Sequence, residues 1–382
     1  MERTIKVVNR CVIASDSFKG SLSSFQVAES ARKGILSAFP ECEVVEVCVA
    51  DGGEGTVDAL LKTLGGRKIY VDVHDPLGRL ITASYVISED GRTAVLEMSS
   101  ASGLPLLKEE ERNPMLTSTY GTGEIIADAL HRGCRKFLAG IGGSATNDAG
   151  MGMLSALGYR FLDSEGNVLE GKGESLAKVR SIDDSSVEKY LLESEFIIAC
   201  DVDSPFCGLE GAAYVYGPQK GATPEMIEAL DAGMKHFAEL IGRKYGVMIN
   251  DMPGAGAAGG MGGAFVAFLN GSLRRGADLI LDAVGFDELI KGADLVITGE
   301  GRLDAQTNMG KLPYAVASRA RRMGVKVFAI CGQVVISESP MFDRIIQTTP
   351  PDMPLEMAMR PEVASDNIMT LAESLLDEFN TF

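Results

Sequence analysis

The sequence predicts an α/β protein in which a parallel-sheet, Rossmann-like domain is interrupted by a second, inserted α/β domain. The first 75 residues alternate between strand and helix periods in the order β-loop-α-β-loop-α-β, and the residues after about 290 resume that order. Such repeats imply parallel strands joined by right-handed crossovers. We therefore predict a discontinuous first domain, residues 1–75 plus 290–382, and an inserted domain, residues 76–289.

Each element of the first domain is predicted from a local pattern. Val27, Ala28, Ala31 and Ile35 recur at helical spacing after Ser23, which forms a capping box with Gln26. The other elements predicted for its N-terminal part are strands at 11–15, 43–50 and 68–73 and a helix at 57–64. Its C-terminal part is predicted to hold strands at 294–298, 326–331 and 344–348 and helices at 313–323 and 369–379.

The middle of the chain mixes shorter strands with helices and glycine-rich loops. Strands are predicted at 94–98, 136–141 and 196–200, and a helix at 151–157. The turn sequence DPLGR, residues 75–79, is the clearest signal of a boundary before this region. These patterns predict the inserted domain.

Composition restricts the partners and the compartment. The 382 residues carry 36 basic and 53 acidic side chains, a formal net charge of −17 that repels nucleic acid and anionic lipid. Seven scattered cysteines without a CxxC pair favour a reducing, cytoplasmic location. No apolar leader is evident, and the charge-free stretch 252–273 is too glycine-rich for a membrane helix. No nucleic acid or membrane partner is expected.

Six polar loops follow predicted strands, and all but CDVDSP combine glycine with charge. They are DSFKGS (16–21), ADGGEGT (50–56), GIGGSATND (140–148), CDVDSP (200–205), GPQKGA (217–222) and TGEGRLDAQT (298–307). Any single loop could be an ordinary turn or helix cap. Together they favour a ligand site, because ligands of parallel sheets bind beyond the carboxyl ends of the strands.

Two glycine clusters are candidates for binding phosphate. GIGGSATND leads from a strand into the predicted helix 151–157, whose first N–H groups suit an anion, although Asn147 or Asp148 could instead cap that helix. The cluster PGAGAAGGMGG, residues 253–263, contains GxGxxG, but no convincing strand precedes it. A glycine-lined helix entrance is the better interpretation of the second cluster.

The sequence excludes a P-loop NTPase, lacks the protein-kinase signatures and gives poor support to a zinc hydrolase or a serine hydrolase. The sequence has no Walker A motif, no HRD or DFG, no HExxH and no GxSxG. What remains are carboxylates and basic groups at strand ends, which suit a small-molecule kinase that holds Mg²⁺ with few ligands. This inventory alone does not choose the phosphate acceptor.

Nine motifs in order resemble the type 1 glycerate kinase family. They are SDSFKGSLS, VADGGEGTVDALL, DPLGR, ASGL, YGTGEII, GIGGSATND, GPQKGATPEM, PGAGAAGGMGG and LVITGEGRLDAQTNMGK, and the match runs from about residue 11 to 332. Ser15 and Ala149 depart from the family pattern without removing a charged group. The resemblance implies transfer of the γ-phosphoryl group of ATP to D-glycerate, with Mg²⁺, giving 2-phosphoglycerate. It also implies a site in the cleft between two α/β domains.

Roles within the site are hypotheses. Gly142, Gly143, Ser144 and Thr146 would hold the ATP phosphates with help from Lys220. Asp201 and Glu300 would bind Mg²⁺ or, for one of them, act as the base. Lys19, Asp51 and Arg302 would bind or activate glycerate. Further candidates, equally readable as caps and turn residues, are Asp16, Glu54, Asp304, Gln306 and Lys311.

Two other functions stay open at this point. A nicotinamide-dependent hydroxy-acid dehydrogenase would use PGAGAAGG as its fingerprint, and a non-catalytic sugar-acid sensor would close its domains on a ligand. The residues alone do not decide between the 2- and the 3-hydroxyl of glycerate. They also leave open whether the protein is a monomer or a homodimer.

Overall fold

The computed structural model describes residues 8–47, 49, 65–304, 311–336 and 338–379. The chain forms two units: unit 1 comprises residues 1–51 and 277–382, and unit 2 comprises residues 52–276. The described strands are β1 (Arg10–Ile13), β2 (Glu43–Glu46), β3 (Arg67–His74), β4 (Leu80–Ile87), β5 (Thr93–Glu97), β6 (Lys136–Gly140), β7 (Arg160–Leu162), β8 (Ser181–Asp183), β9 (Glu195–Ala199), β10 (Ser272–Arg274), β11 (Leu295–Leu303), β12 (Lys326–Val334) and β13 (Arg344–Gln347).

The helices separate most of these strands along the chain. They are α1 (Ser24–Ala38), α2 (Ser99–Ser102), α3 (Tyr120–His131), α4 (Met151–Ala156), α5 (Lys189–Leu192), α6 (Ala212–Tyr216), α7 (Pro224–Tyr245), α8 (Ala257–Leu269), α9 (Gly276–Ala283), α10 (Phe286–Leu289), α11 (Leu312–Arg322), α12 (Leu355–Ala358) and α13 (Pro361–Phe379). Among the described helices, none combines the length and the apolar character that a membrane span requires.

Unit 1 is built on a five-stranded sheet in which every neighbouring pair is parallel. The strand order is β13-β12-β11-β1-β2. Cys11 and Ile13 of β1 pack into a core with residues of α1 and α13, whereas Val12 between them is buried on the alternate side. The predicted capping box is present, since Ser23 and Gln26 exchange hydrogen bonds at the start of α1. The mixed α/β class predicted from the sequence is confirmed.

The strand order of unit 1 creates a binding position at its centre. Counted along the chain within the unit, the order is 2-1-3-4-5, because β1 lies between β2 and β11. The connections leaving β1 and β11 therefore run to opposite sides of the sheet. In open parallel sheets, ligands bind beyond the carboxyl ends of the two strands where the order reverses.

Unit 2 is built on a six-stranded mixed sheet. Its order is β10-β9-β6-β5-β4-β3, with parallel pairs from β10 to β5 and antiparallel pairs from β5 to β3. Its core is one apolar cluster that includes the stacked pair Phe137 and Phe196 together with Phe265 of α8. All members of this cluster belong to unit 2.

Strand β3 differs from its prediction. The sequence places residues 68–73 in the parallel sheet of the first domain, but β3 is the edge strand of unit 2's sheet and pairs antiparallel with β4. The reason lies in DPLGR, which forms a hairpin turn. The carboxylate of Asp75 accepts hydrogen bonds from the backbone N–H groups of Leu77 and Arg79 and from Arg79 Nε. The turn returns the chain onto β3, so the predicted boundary at residue 75 falls inside a hairpin of unit 2.

Strand β11 is longer than predicted. The sequence predicts that the strand ends at Thr298 and that a loop follows, whereas β11 continues to Leu303. The added residues pair with β12, from Gly299 opposite Ile330 to Leu303 opposite Val334. Gly299 permits this pairing, because a Cβ atom there would lie 1.9 Å from the carbonyl oxygen of Ile330. Glu300 and Arg302 are therefore strand residues.

Candidate active site

A cavity of about 540 Å³ lies at the carboxyl ends of the unit 1 strands. The loops after β1 and β13 and the ends of β11 and β12 contribute to its walls, which places it at the β1–β11 position where the strand order reverses. Its ionic wall, as we call it, consists of Asp16, Lys19, Glu300, Arg302, Asp304 and Lys311. Three cations and three carboxylates thus meet where the topology favours ligand binding.

The loop after β1 is held against β11 by backbone hydrogen bonds. The N–H of Asp16 donates to the carbonyl of Gly299 at 2.9 Å. The Asp16 carboxylate accepts from the N–H of Ser17 at 2.6 Å, which closes the first turn of the loop. Lys19, three residues further along, is exposed and lines the cavity. The strand pairing therefore brings DSFKGS next to Glu300.

Glu300 is a buried carboxylate beside a cation. Its residue is 6% exposed, and Lys311 Nζ lies 3.7 Å from its carboxylate and 3.9 Å from that of Asp304. Charges this deeply placed are rarely left without an opposite charge, because burial alone disfavours the ionised form. Lys311 at the start of α11 supplies it.

Arg302 differs from the other cations of the ionic wall. It is exposed, and none of the described residues forms a hydrogen bond or an ion pair with it. It lies two residues after Glu300 on β11, so both side chains project from the same face of the strand. A guanidinium with five donors is well suited to a carboxylate or phosphate ligand.

Cys331 lies opposite Glu300 in the β11–β12 register. Burial raises the pKa of its thiol to about 12, and the neighbouring Glu300 charge adds to the effect. A thiol with such a pKa stays protonated near neutral pH and is a poor nucleophile. The described residues that line the cavity include no cysteine, and the adjacent Cys331 is not suited to covalent catalysis.

The loop GIGGSATND of unit 2 has an exposed tip and a buried base. Gly142 and Gly143 are exposed, and Gly143 has a φ of +73° that favours glycine. Ser144 is 8% exposed and Thr146 is fully buried. Of these residues, only the two glycines of the tip are exposed.

Lys220 lies beneath this loop. It is 1% exposed, and its Nζ donates to Ser144 Oγ at 2.8 Å and to the carbonyl of Thr146 at 2.6 Å. Burial lowers the pKa of Lys220 to about 7, and the nearby Asp148 carboxylate opposes that change. Two of the three donors of an ammonium group are thus used to hold the loop.

The first N–H groups of α4 are occupied by the protein itself. The Asp148 carboxylate accepts hydrogen bonds from the N–H groups of Gly150 and Gly152, and from both N–H and Oγ1 of Thr119. Thr119 Oγ1 in turn accepts from the N–H of Met153. Burial raises the pKa of Asp148, while these hydrogen bonds act to lower it. The capping role left open for Asp148 is the one observed.

The glycines of the GxGxxG segment are buried and serve packing. A Cβ atom on Gly256 would lie 2.1 Å from the carbonyl oxygen of Pro205, and one on Gly259 would lie 2.1 Å from that of Thr146. Residues 258–260 have positive φ at the start of α8. The segment therefore forms a glycine-lined helix entrance, as the preferred interpretation expects.

Asp201 follows β9 in unit 2, whereas Glu300 belongs to unit 1. Asp201 Oδ1 accepts a hydrogen bond from the N–H of Gly276 at 2.8 Å, and its carbonyl accepts from Arg275 Nη1 at 2.7 Å. Among the described residues, no group of three or more His, Cys, Asp or Glu side chains could hold a metal ion. A Mg²⁺ site on Asp201 and Glu300 stays a prediction.

Some predicted residues lie outside the described part of the chain, and some lining residues had no sequence prediction. Asp51, Glu54 and Gln306 fall in the ranges 50–64 and 305–310, which the structure does not describe. Among the lining residues that sequence reasoning missed are four apolar ones that follow β13, namely Met353, Leu355, Ala358 and Met359. Their only signal is the proline-rich segment TTPPDMP after a strand, residues 348–354.

Comparison with known proteins gives a consistent result over nearly the whole chain. Residues 11–380 match the model of the glycerate kinase family. A glycerate kinase of Bacillus cereus (strain ATCC 10987 / NRS 248) is 45% identical over 370 residues, which cover 96% of this chain and 97% of the relative. A glycerate 2-kinase of Escherichia coli (strain K12) is 45% identical over 325 residues, 85% of each chain.

A solved structure agrees with the described fold. It is the crystal structure of a glycerate kinase 2 candidate from Salmonella typhimurium LT2, with a TM-score of 0.87 and 42% sequence identity. The likeness covers 98% of this chain and 99% of that chain.

Proposed function

The chain belongs to the glycerate kinase family, and we propose that it transfers the γ-phosphoryl group of ATP to the 2-hydroxyl of D-glycerate. It is an enzyme, a phosphotransferase with an alcohol group as acceptor. The 2-position is supported by the relative named glycerate 2-kinase, which is 45% identical. The products are then 2-phosphoglycerate and ADP.

The observation that carries this proposal is the ionic wall of the unit 1 cavity. Phosphoryl transfer to an alcohol requires cations for the anionic reactants and a carboxylate that accepts the hydroxyl proton. The wall supplies both kinds of group, with Lys19 and Arg302 beside the buried carboxylate of Glu300. It does so at the position where parallel sheets bind ligands.

Arg302 and Lys19 would bind the carboxylate of glycerate. The fork of an arginine matches a carboxylate with two parallel hydrogen bonds, and Arg302 is exposed to receive it. Asp51, outside the described residues, is a further proposed contact to the hydroxyl groups. Glu300 or Asp201 would accept the proton of the attacking hydroxyl.

The loop GIGGSATND would contact the phosphates of ATP through its tip. Gly142 and Gly143 are exposed and offer backbone N–H donors, and the Ser144 hydroxyl is a further proposed phosphate contact at the buried edge of the tip. Thr146 and Lys220 are buried and would keep the loop in shape. This assigns Lys220 a positioning role, because its donors already go to Ser144 and Thr146.

The donor chemistry of the site suits Mg²⁺. This ion prefers oxygen ligands and is usually held by one or two carboxylates, with phosphate oxygens and water completing the shell. Glu300 and Asp201 are the carboxylates we propose for it; Glu300 lies on β11, and Asp201 lies two residues after the end of β9. When bound, the ion neutralises charge on the phosphate groups.

We also propose that the enzyme works in the cytoplasm and without nucleic acid. The six cysteines that the structure describes are free, which supports a reducing compartment. The net charge of −17 opposes binding to a polyanion.

Release of ADP from Mg-ATP in the presence of D-glycerate, followed with a coupled assay, tests the reaction. Phosphorus NMR of the product locates the new ester. We expect ADP release that depends on glycerate and a phosphate ester on the 2-hydroxyl. An ester on the 3-hydroxyl would contradict the proposed position, and turnover without glycerate dependence would contradict the acceptor.

A further inference from the structure

We infer that an apolar wall of the unit 1 cavity binds the base of the nucleotide that donates the phosphoryl group. The wall consists of Met353, Leu355, Ala358 and Met359. The inference rests on the proposed function, since it takes ATP as the donor. It adds a ligand class and a set of contacts that neither the ionic wall nor the glycine loop accounts for.

The apolar wall has large side chains that the described residues leave uncovered. Leu355 is 69% exposed and Met359 is 39% exposed, and both line the same cavity as the ionic residues. Single exposed apolar residues are common, but apolar residues gathered in a concave pocket with a few charged groups are typical of a small-molecule site.

Binding of glycerate does not explain the apolar wall. Each of the three carbons of glycerate carries oxygen, so the molecule has little apolar surface to bury. The largest apolar group among the proposed reactants is the purine ring of ATP. Methionine is suited to such a ring, because its flexible thioether adapts to the surface and makes favourable contacts with aromatic edges.

The volume of the cavity also favours a nucleotide as the ligand. Its volume of about 540 Å³ lies within the range of about 300–1,000 Å³ that is usual for pockets of drug-sized ligands. A three-carbon acid would leave most of such a space empty. A nucleotide can occupy it and still place its phosphate chain at the ionic wall.

The two walls adjoin one another. A Cβ atom built on Gly20 would lie 2.9 Å from the terminal methyl of Met359, so this methionine touches the loop that carries Lys19. Gly20 itself has a φ of +79°, which favours glycine at this contact. A base held by the apolar wall would therefore direct the phosphate chain toward the ionic wall, where the proposed function places glycerate.

The test is Met359→Ser, with Met323→Ser as the matched control. Met323 belongs to the same unit and has the same exposed fraction of 39%, but it does not line the cavity. Binding of MgADP to the full chain is measured by calorimetry without glycerate. Inhibition by inorganic tripolyphosphate, which has no base, is measured alongside.

We expect Met359→Ser to weaken MgADP binding by about tenfold, the change expected from losing about 1.4 kcal/mol of apolar contact. Tripolyphosphate inhibition and the KM for glycerate should stay within about twofold of wild type, since neither depends on a base. The control should bind MgADP as the wild type does. Leu355→Ser, at a site too exposed to carry the fold, should repeat the effect.

Other outcomes overturn the inference. If both variants bind MgADP normally, the apolar wall does not bind the base. The same holds if they weaken inhibition by tripolyphosphate as much as they weaken MgADP binding. If they raise only the KM for glycerate, the wall belongs to the acceptor. Should MgADP binding depend on Met359 while glycerate is never phosphorylated, the inference stands and the proposed acceptor fails.

Discussion

Individual side chains of this enzyme divide into those that face a ligand space and those that hold the backbone in place. Arg302 and Lys220 represent the two kinds. Arg302 is exposed at the cavity, whereas Lys220 is buried under a glycine loop and bonded to Ser144 and Thr146. Both are cations in glycine-rich segments, so residue type alone does not separate their roles.

Arg302→Ala should lower kcat/KM for glycerate by about 10- to 100-fold, which corresponds to one lost hydrogen-bonded contact to a charged group. Stability should not change, because no described residue pairs with this side chain. Steady-state kinetics with glycerate varied measures the effect. Arg321→Ala is the control, since Arg321 is an exposed arginine that pairs weakly with Asp343 outside the cavity. Unchanged kinetics would remove Arg302 from the site.

Lys220→Met should alter the pH dependence of stability. Burial lowers the pKa of Lys220 to about 7 in the folded protein from an ordinary value of 10.5. Between these values the unfolded chain binds more protons, so the wild type gains stability as pH rises from 7 to 9. This contribution, at most about 1.4 kcal/mol per pH unit, should be missing in the variant.

Urea unfolding at pH 7, 8 and 9 measures the difference for Lys220. Lys235→Met is the matched control, because its hydrogen bond to Asp231 raises the pKa of Lys235 and moves its titration above this window. Parallel pH profiles for wild type and Lys220→Met would show that the buried amine keeps its proton throughout, and the low pKa would then be wrong.

Among the elements, helix α8 shows how glycine is used for close packing. Gly259 packs against the backbone of the GIGGSATND loop, and its two neighbours, Ala258 and Gly260, share its positive φ. The carbonyl of Gly259 accepts a hydrogen bond from the N–H of Ala149 at 2.9 Å. The helix entrance thus supports the loop whose tip we assign to phosphate.

Gly259→Ala should destabilise unit 2 by more than about 4 kcal/mol, because its Cβ would meet a backbone carbonyl at 2.1 Å in addition to the positive φ. Gly246→Ala is the control for backbone strain alone. Gly246 has a similar φ of +71° with open space around a Cβ, so the cost should be about 1–2 kcal/mol. Calorimetric melting of both variants measures the difference between their losses of stability. Equal losses would mean that the loop moves aside.

At the scale of the whole molecule, each unit has a core of its own. The core of unit 2 draws only on residues between 69 and 269, and the core around α1 and α13 draws only on unit 1. A domain that contains a complete core can fold alone.

Residues 52–276 expressed alone should therefore unfold cooperatively on heating. A fragment that stops at Tyr245 lacks α8, and with it Phe265 and Phe268 of the core, so it should not show a cooperative transition. Far-UV circular dichroism against temperature distinguishes the two. A gradual change for residues 52–276 would mean that this unit depends on the rest of the chain.

Local patterns were sufficient where contacts are local. The capping box of Ser23 and Gln26, the periodicity of α1 and the alternating strands could all be predicted from neighbouring residues. The same patterns did not identify which strands pair with one another. Residues 68–73 were recognised as a strand but assigned to the wrong sheet, because the hairpin that decides their pairing depends on the side chain of Asp75.

The candidate site was predictable in its charged part only. Asp16, Lys19, Glu300 and Arg302 stand out as charges in glycine-rich segments, and the structure brings them to one cavity. The apolar wall did not stand out, since Leu355 and Met359 look like ordinary helix residues in the sequence. Apolar side chains report a ligand only when the fold leaves them exposed in a pocket.

The sequence by itself determined the α/β class, most helices and strands, the family and the charged residues that now line the cavity. These follow from local periodicity and from motifs that stand in a fixed order along the chain. Tertiary structure alone decided which sheet receives β3, how far β11 extends and which lysine is buried. Those outcomes depend on hydrogen bonds and packing between residues far apart in the chain, and such contacts leave no local pattern to read.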